Sequence, residues 1–292
     1  MSVSETAHRL MPRLPQGVTV WWPVIAGLCA LYLPTYLRLI SGPWTKEEYA
    51  HGPIVLAMIV WIVWESRNAL ANAERRPVPL AGWGLLLIGL LAYVIGRSQG
   101  VIFLEVGSQI PVLAAAALLV GGWAWLRILA FALFYIVFLL PLPGFFVDAL
   151  TGPLKAKISV LAEQLLYFVG YPIARSGVVL TIGQYQLLVA DACSGLHSIF
   201  SLAALGGFYM YLMKYAGFWR NAILAAAIVP VAFAANVVRV IVLVLVTYHF
   251  GDEAGQGFVH DFAGILLFIA GLGIFILFDY LLGFFFKTRR AA

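Results

Sequence analysis

Residues 221–248, NAILAAAIVPVAFAANVVRVIVLVLVTY, carry one formal charge, Arg239, in 28 positions. At about 1.5 Å per residue such a helix is about 42 Å long, whereas the hydrocarbon core of a bilayer is about 30 Å thick. The helix must tilt or bend, and Pro230 offers a bend point. Further apolar runs occupy 18–40, a short 52–66, then 80–97, 101–121, 124–141, 194–213 and 258–284. A chain of 292 residues that is 63% hydrophobic and only 11% charged has too little polar surface for water to be its main solvent. The expected fold is therefore all-α and polytopic, one domain over 1–292 with about eight transmembrane helices. The first run is too long for a signal-peptide core and has no small-residue cleavage site, so it reads as a retained span behind a polar tail at 1–17. Basic residues are scattered between spans rather than gathered in one patch, which excludes nucleic acid as the natural partner.

Charge sets the orientation. With the N-terminus in the cytoplasm, 11 of the 18 basic residues fall inside, and ERR at 74–76 and KTRR at 287–290 carry most of that excess. Of the 13 acids, only Glu5, Glu65, Glu74 and Asp279 fall on that side. The predicted topology is N-in, C-in.

The long connection at 142–192 then lies in the periplasm. Its first part alternates Leu154, Ile158, Leu161 and Leu165 with Lys155, Lys157, Glu163 and Gln164, which predicts an amphipathic helix in the membrane interface. VVLTI and QYQLLVA follow as two short strands turned at Gly183-Gln184. So long an excursion in so economical a chain points to function.

Three residues on the same outer side can do chemistry. Cys193, one of 2 cysteines, sits where the excursion ends and the sixth span begins. Unpaired backbone N–H groups and the positive end of the helix dipole favour thiolate at such a position. Cys29, inside the first apolar run, reads as an inert packing residue. Arg239 lies about nine residues, or about 13 Å, below the outer end of span seven. An arginine at that depth costs at least about 2.5 kcal/mol unless partnered. Asn236 shares its face at helical spacing, so that face must turn inward. Two readings stand for Arg239: an ion pair with Glu105, Asp261 or another buried acid, or binding of an anion or oxyanion. His260 opens span eight on the outer side. A thiol, a fixed cation and a proton acceptor from three spans at one face are the minimum kit for acyl transfer through a thioester.

Other residues support or compete. His197 lies one helical turn beyond the thiol and Ser194 beside it, but no G-x-S-x-G pattern surrounds that serine. His51, in EEYAHGPIVL, either lines the same site or caps the second span. A zinc site from His51, His197 and His260 lacks H-E-x-x-H spacing, and neither metal nor cofactor is expected. A multi-span transporter or exopolysaccharide-export component with a structural buried arginine is the alternative class, and it leaves the thiol and histidine unexplained.

ACSGLHS at 192–198, the pattern Pro230–Asn236–Arg239, HDFAG at 260–264 and EYAHGPIVLAMIVW at 49–62 together resemble the exosortases. The resemblance is greatest to the short exosortase B type, the sequence stopping at KTRRAA soon after span eight. It implies a cysteine transpeptidase acting on exported proteins that end in a Pro-Glu-Pro motif, a hydrophobic helix and a basic tail. It implies Cys193 as nucleophile with Arg239 and His260 as its active-site companions, and an acceptor molecule that takes the acyl group.

Overall fold

The computed structural model describes residues 22–46, 49, 51–142, 144–188, 195–214, 217–251 and 258–286. Helix α1 spans Trp22–Ser41, α2 Gly52–Glu65, α3 Arg67–Asn72, α4 Pro79–Ser98, α5 Ile102–Gly107, α6 Gln109–Val120 and α7 Trp123–Tyr135. The excursion contributes α8, Gly144–Phe168, and strands β1 Ile173–Ser176, β2 Val179–Ile182 and β3 Tyr185–Leu188. Helices α9 Gly195–Met213, α10 Phe218–Phe250 and α11 Phe258–Phe285 complete the chain. Among the described residues each of the eight expected apolar runs is helical over most of its length. Among the described residues five helical stretches are long and apolar enough to cross a membrane, and Trp123–Leu139, Phe200–Met213 and Gly271–Phe284 are shorter apolar ones. The protein is an all-α polytopic membrane protein, with apolar side chains such as Leu33, Val60, Leu87 and Ile276 exposed around it.

Local detail refines the expected boundaries. The short second span gains a turn and a half from α3, so Gly52–Asn72 reaches 21 residues. The fourth is interrupted at Ser108, whose hydroxyl donates to the Glu105 carbonyl at 2.7 Å. Pro230 lies inside α10 without ending it.

Glycines at seven-residue spacing let α4 approach its neighbours. Gly82, Gly89 and Gly96 are the buried residues of α4. A Cβ would come within 2.6 Å of Leu119 at Gly82, 2.6 Å of Val112 at Gly89 and 2.5 Å of the Glu105 backbone nitrogen at Gly96. Helices in lipid gain little from hydrophobic burial against each other, so close backbone approach through small residues supplies the packing. Polar bonds complete this half: Tyr32 and Ser108 hydroxyls lie 3.0 Å apart, and Tyr36 donates to Gln109 at 2.7 Å.

In the other half α9, α10 and α11 pack on one another. Leu224, Ala227, Ile228 and Phe275 form their shared core. Near its end the Arg220 guanidinium donates to the Asp279 carboxylate from Nη2 at 2.7 Å and Nε at 3.1 Å, and Tyr209 donates to the same carboxylate at 2.6 Å. One residue from each helix joins this clamp. Arg220 and Asp279, which the charge count places on the cytoplasmic side, are buried, at 5% and 2% exposure.

The amphipathic helix of the excursion exists as α8, and its apolar face docks on protein. Ile158, Ala162 and Leu166 pack with Val237, Val240 and Val244 of α10 and with Leu180, Ile182 and Leu187 of the strands. The hairpin expected at Gly183-Gln184 is present as β2–β3, with Ile182 opposite Tyr185. An antiparallel strand, β1, precedes it, pairing Arg175 with Leu180. The β1–β2 turn uses Gly177 at φ 64° and the β2–β3 turn uses Gly183 at φ 56°, a region glycine enters without steric cost. Arg175 then donates to Glu163 at 2.9 Å, which ties sheet to helix.

Candidate functional site

Arg239 is 3% exposed and Asn236 1%. Their common face turns inward, as helical spacing required, and Val240 and Leu243 are buried beside them. Protein covers this face of α10, while Val238 and Val242 on its other side are exposed. The apolar side of α8 and the strands cover it on one side, while α9 and α11 pack on others. Counting from the helix end to judge depth in lipid, as the sequence suggests, therefore misleads: the last turns of α10 are covered by the excursion. The Tyr248 ring packs on Gly183 of the β2–β3 turn.

Glu105 is not the counter-ion of Arg239. Its Oε1 accepts from Thr35 at 2.7 Å and Arg97 at 2.8 Å, and its Oε2 accepts from Arg38 at 2.8 Å. That alternative falls because those donors already surround the carboxylate. The side chain of Asp261, the other acid considered, lies outside the described residues.

Cys193 and Ser194 lie outside the described residues, as do the side chains of His197 and His260. Backbone positions bracket them. Helix α9 is described from Gly195, with His197 in its first turn, and His260 lies in the first turn of α11. Leu202, Ala235 and Gly271 meet in one layer: a Cβ at Gly271 would lie 3.6 Å from Ala235 and 3.8 Å from Leu202. From that layer, helical rise carries Arg239 about 6 Å, Gly195 about 10 Å and His260 about 16 Å toward the excursion end. The three backbones thus lie within about 10 Å of one another along the bundle, on helices in mutual contact.

His51 occupies the position before α2, and its side chain makes no cap bond. The capping reading is not met. Gly52 next to it is packed under the Trp44 indole, where a Cβ would collide with the ring. Tyr49 donates to the Leu142 carbonyl at 3.2 Å, so the segment before α2 touches the start of the excursion. Cys29 differs from its expected packing role as well: it is exposed on the outer surface of α1, where Val24, Ile25 and Leu33 are also exposed.

Sequence reasoning missed the Tyr209–Asp279–Arg220 clamp. The available signal was Asp279 itself, a lone acid within GIFILFDYLLGFFF, because an ionisable residue in an apolar span needs a partner. The partner, 59 positions away, has no local signature.

A family model described as transmembrane exosortase matches residues 44–277. The match takes in α2 through most of α11, including the excursion and the positions of Cys193, Arg239 and His260. No curated protein and no solved structure matches the chain.

Proposed function

The chain belongs to the transmembrane exosortase family, and from that premise we propose that it is a cysteine transpeptidase that cuts exported proteins near a C-terminal Pro-Glu-Pro motif. Membership carries a membrane transpeptidase-type role in general; substrate, residues and mechanism are our reading. In it, the enzyme sits in the bacterial inner membrane with its site facing the periplasm.

The substrate's hydrophobic helix lies among the spans and leaves the motif at the surface. The Cys193 thiolate attacks a backbone carbonyl, and Arg239 stabilises the oxyanion that forms. The C–N bond breaks, His260 delivers a proton to the departing amine, and a thioester remains. An acceptor nucleophile, linked to surface or exopolysaccharide assembly, attacks the thioester and gives its proton to His260, which restores the thiolate. Asn236 supports the guanidinium from the same helix face, while His197, Ser194 and His51 line the surroundings.

One observation carries this reading. Within a family match that spans the active-site motifs, Arg239 is buried on the helix between the two that begin near Cys193 and His260. Turnover of one tagged substrate tests it. A stably inserted Cys193→Ala protein is expected to accumulate full-length substrate in membranes, and normal processing by that variant ends the proposal. Arg239→Lys keeps a charge but loses the forked donor geometry. Loss of an oxyanion donor costs about 10²–10³ in kcat, and unchanged turnover would reduce Arg239 to a structural part.

A further inference from the structure

The cluster around Glu105 has more cation than its carboxylate uses. Glu105 lies in the first turn of α5 and is 1% exposed, while the side chains of Arg38 and Arg97 are 44% and 39% exposed. Both arginines lie in the last turns of their helices, α1 and α4. Each donates through Nη1 alone, and to a different carboxylate oxygen, so one buried group holds two guanidinium ions side by side. Thr35 takes a further lone pair on Oε1. Two positive charges against one leave a net charge of about +1. Among the described residues, Nε and Nη2 of both arginines make no other hydrogen bond or ion pair.

The surroundings identify what this fork meets. Leu37, Ile40, Val94 and Ile95 flank the arginines and are exposed by 50% or more, so the pair stands at the rim of an apolar, outward-facing surface. A ligand with an anionic head and apolar tails fits both parts. Guanidinium forks match phosphate geometry, and arginines at helix ends reach headgroup height. The cluster belongs to the α1–α4–α5 half of the bundle, whereas the helix of Arg239 packs with α8, α9 and α11. That separation argues against recognition of the peptide cleaved at the candidate site.

We propose that Arg38 and Arg97, locked together by Glu105, bind the phosphate of an anionic phospholipid whose acyl chains lie along α1 and α4. The site is independent of the catalytic reading.

The test uses the purified full chain in a neutral detergent, titrated with short-chain phosphatidylglycerol, phosphatidylcholine or inorganic phosphate, with bound lipid counted by native mass spectrometry. Phosphatidylglycerol is expected to bind in clear preference to phosphatidylcholine. An arginine near an anionic headgroup contributes roughly a factor of five, so R38Q and R97Q should each weaken binding roughly 5-fold and the double variant roughly 25-fold. Glutamine keeps an N–H to offer Glu105, and thermal unfolding checks that the variants fold. Should they unfold, the wild-type comparison still decides: equal binding of the two lipids overturns the proposal. Inorganic phosphate that displaces the lipid at equal concentration would make this a soluble-anion site and overturn the lipid assignment. So would a Pro-Glu-Pro peptide whose binding is lost in the double variant.

Discussion

Replacing Arg220 by Met takes two charge-assisted hydrogen bonds, at 2.7 and 3.1 Å, from a carboxylate that is 2% exposed. Hydrogen bonds to charged groups contribute about 1.5–3 kcal/mol each, so the loss is about 3–6 kcal/mol. That agrees with about 3–5 kcal/mol for stripping one member from a buried ion pair. Asp279→Leu takes the carboxylate from the guanidinium, which keeps its 3.2 Å bond to the carbonyl of residue 279, and should still cost about 3 kcal/mol. Both changes together remove the desolvation penalty along with the attraction. The double variant then loses less than either single one, the Tyr209 hydroxyl's acceptor accounting for about 1 kcal/mol of its cost. The assay is reversible unfolding in mixed micelles with rising SDS, read as a double-mutant cycle. The double variant should be more stable than either single one. Single costs below about 1 kcal/mol, or a double cost equal to their sum, would refute the assignment of this contact as the clamp between α9, α10 and α11.

Gly96→Ala and Gly84→Ala should differ in sign. A Cβ at 96 meets the Glu105 backbone at 2.5 Å and destabilises by about 1–3 kcal/mol, whereas one at 84 has nothing within 4 Å and gains up to about 1 kcal/mol of helix propensity; micelle unfolding of both measures this. Leu180→Ala, at a position with 0% exposure, should cost about 2–5 kcal/mol and lower substrate turnover, because it loosens the sheet that covers the Arg239 level of α10. Cys29→Ala should change stability by less than about 0.5 kcal/mol and leave turnover intact; a thiol-reactive active-site probe should still label this variant and fail on Cys193→Ala.

The periodic, long-range constraint was readable and the pairwise one was not. Lipid forces each spanning backbone to satisfy its hydrogen bonds internally, so an apolar run such as 221–248 identifies its helix within a few residues. The strand pair VVLTI and QYQLLVA was legible for a similar reason: both are apolar and joined by a glycine turn. Strand β1, IARS, has one buried position followed by three exposed ones, so no alternation betrays it and only Gly177 hints at a turn. Ion pairs were the least legible feature. Glu105 was a plausible mate for Arg239 by charge, but the bundle joins it to Arg38 and Arg97, and pairing across 67 positions depends on which helices touch. At the candidate site, sequence picked out Arg239 because a charge in an apolar run is an energetic anomaly. It gave the inward turn of that charge, but not that α8 and the sheet cover the level of α10 at which it sits.

That last difference changes what the site is. Helix α10 has 33 residues and so a length of about 50 Å, about 20 Å more than a hydrocarbon core. Arg220 is held in the clamp, with Phe218 and Trp219 exposed at 74% and 70% just before it, as expected of aromatic residues at a membrane boundary. From Arg220 to Arg239 the axis rises about 28 Å, close to one hydrocarbon thickness. If the aromatic pair marks one boundary, Arg239 stands at the other, and the remaining turns of α10 rise into the cap of α8 and the sheet. The arginine then escapes the cost of a charge amid acyl chains, while Asn236 and the apolar cap keep it from bulk water. A fixed cation in a water-poor pocket at the membrane surface stabilises a developing oxyanion far better than one in solvent does. It also sits where a peptide leaving the end of a membrane helix arrives. In the proposed mechanism the excursion is the wall that makes this boundary arginine chemically useful.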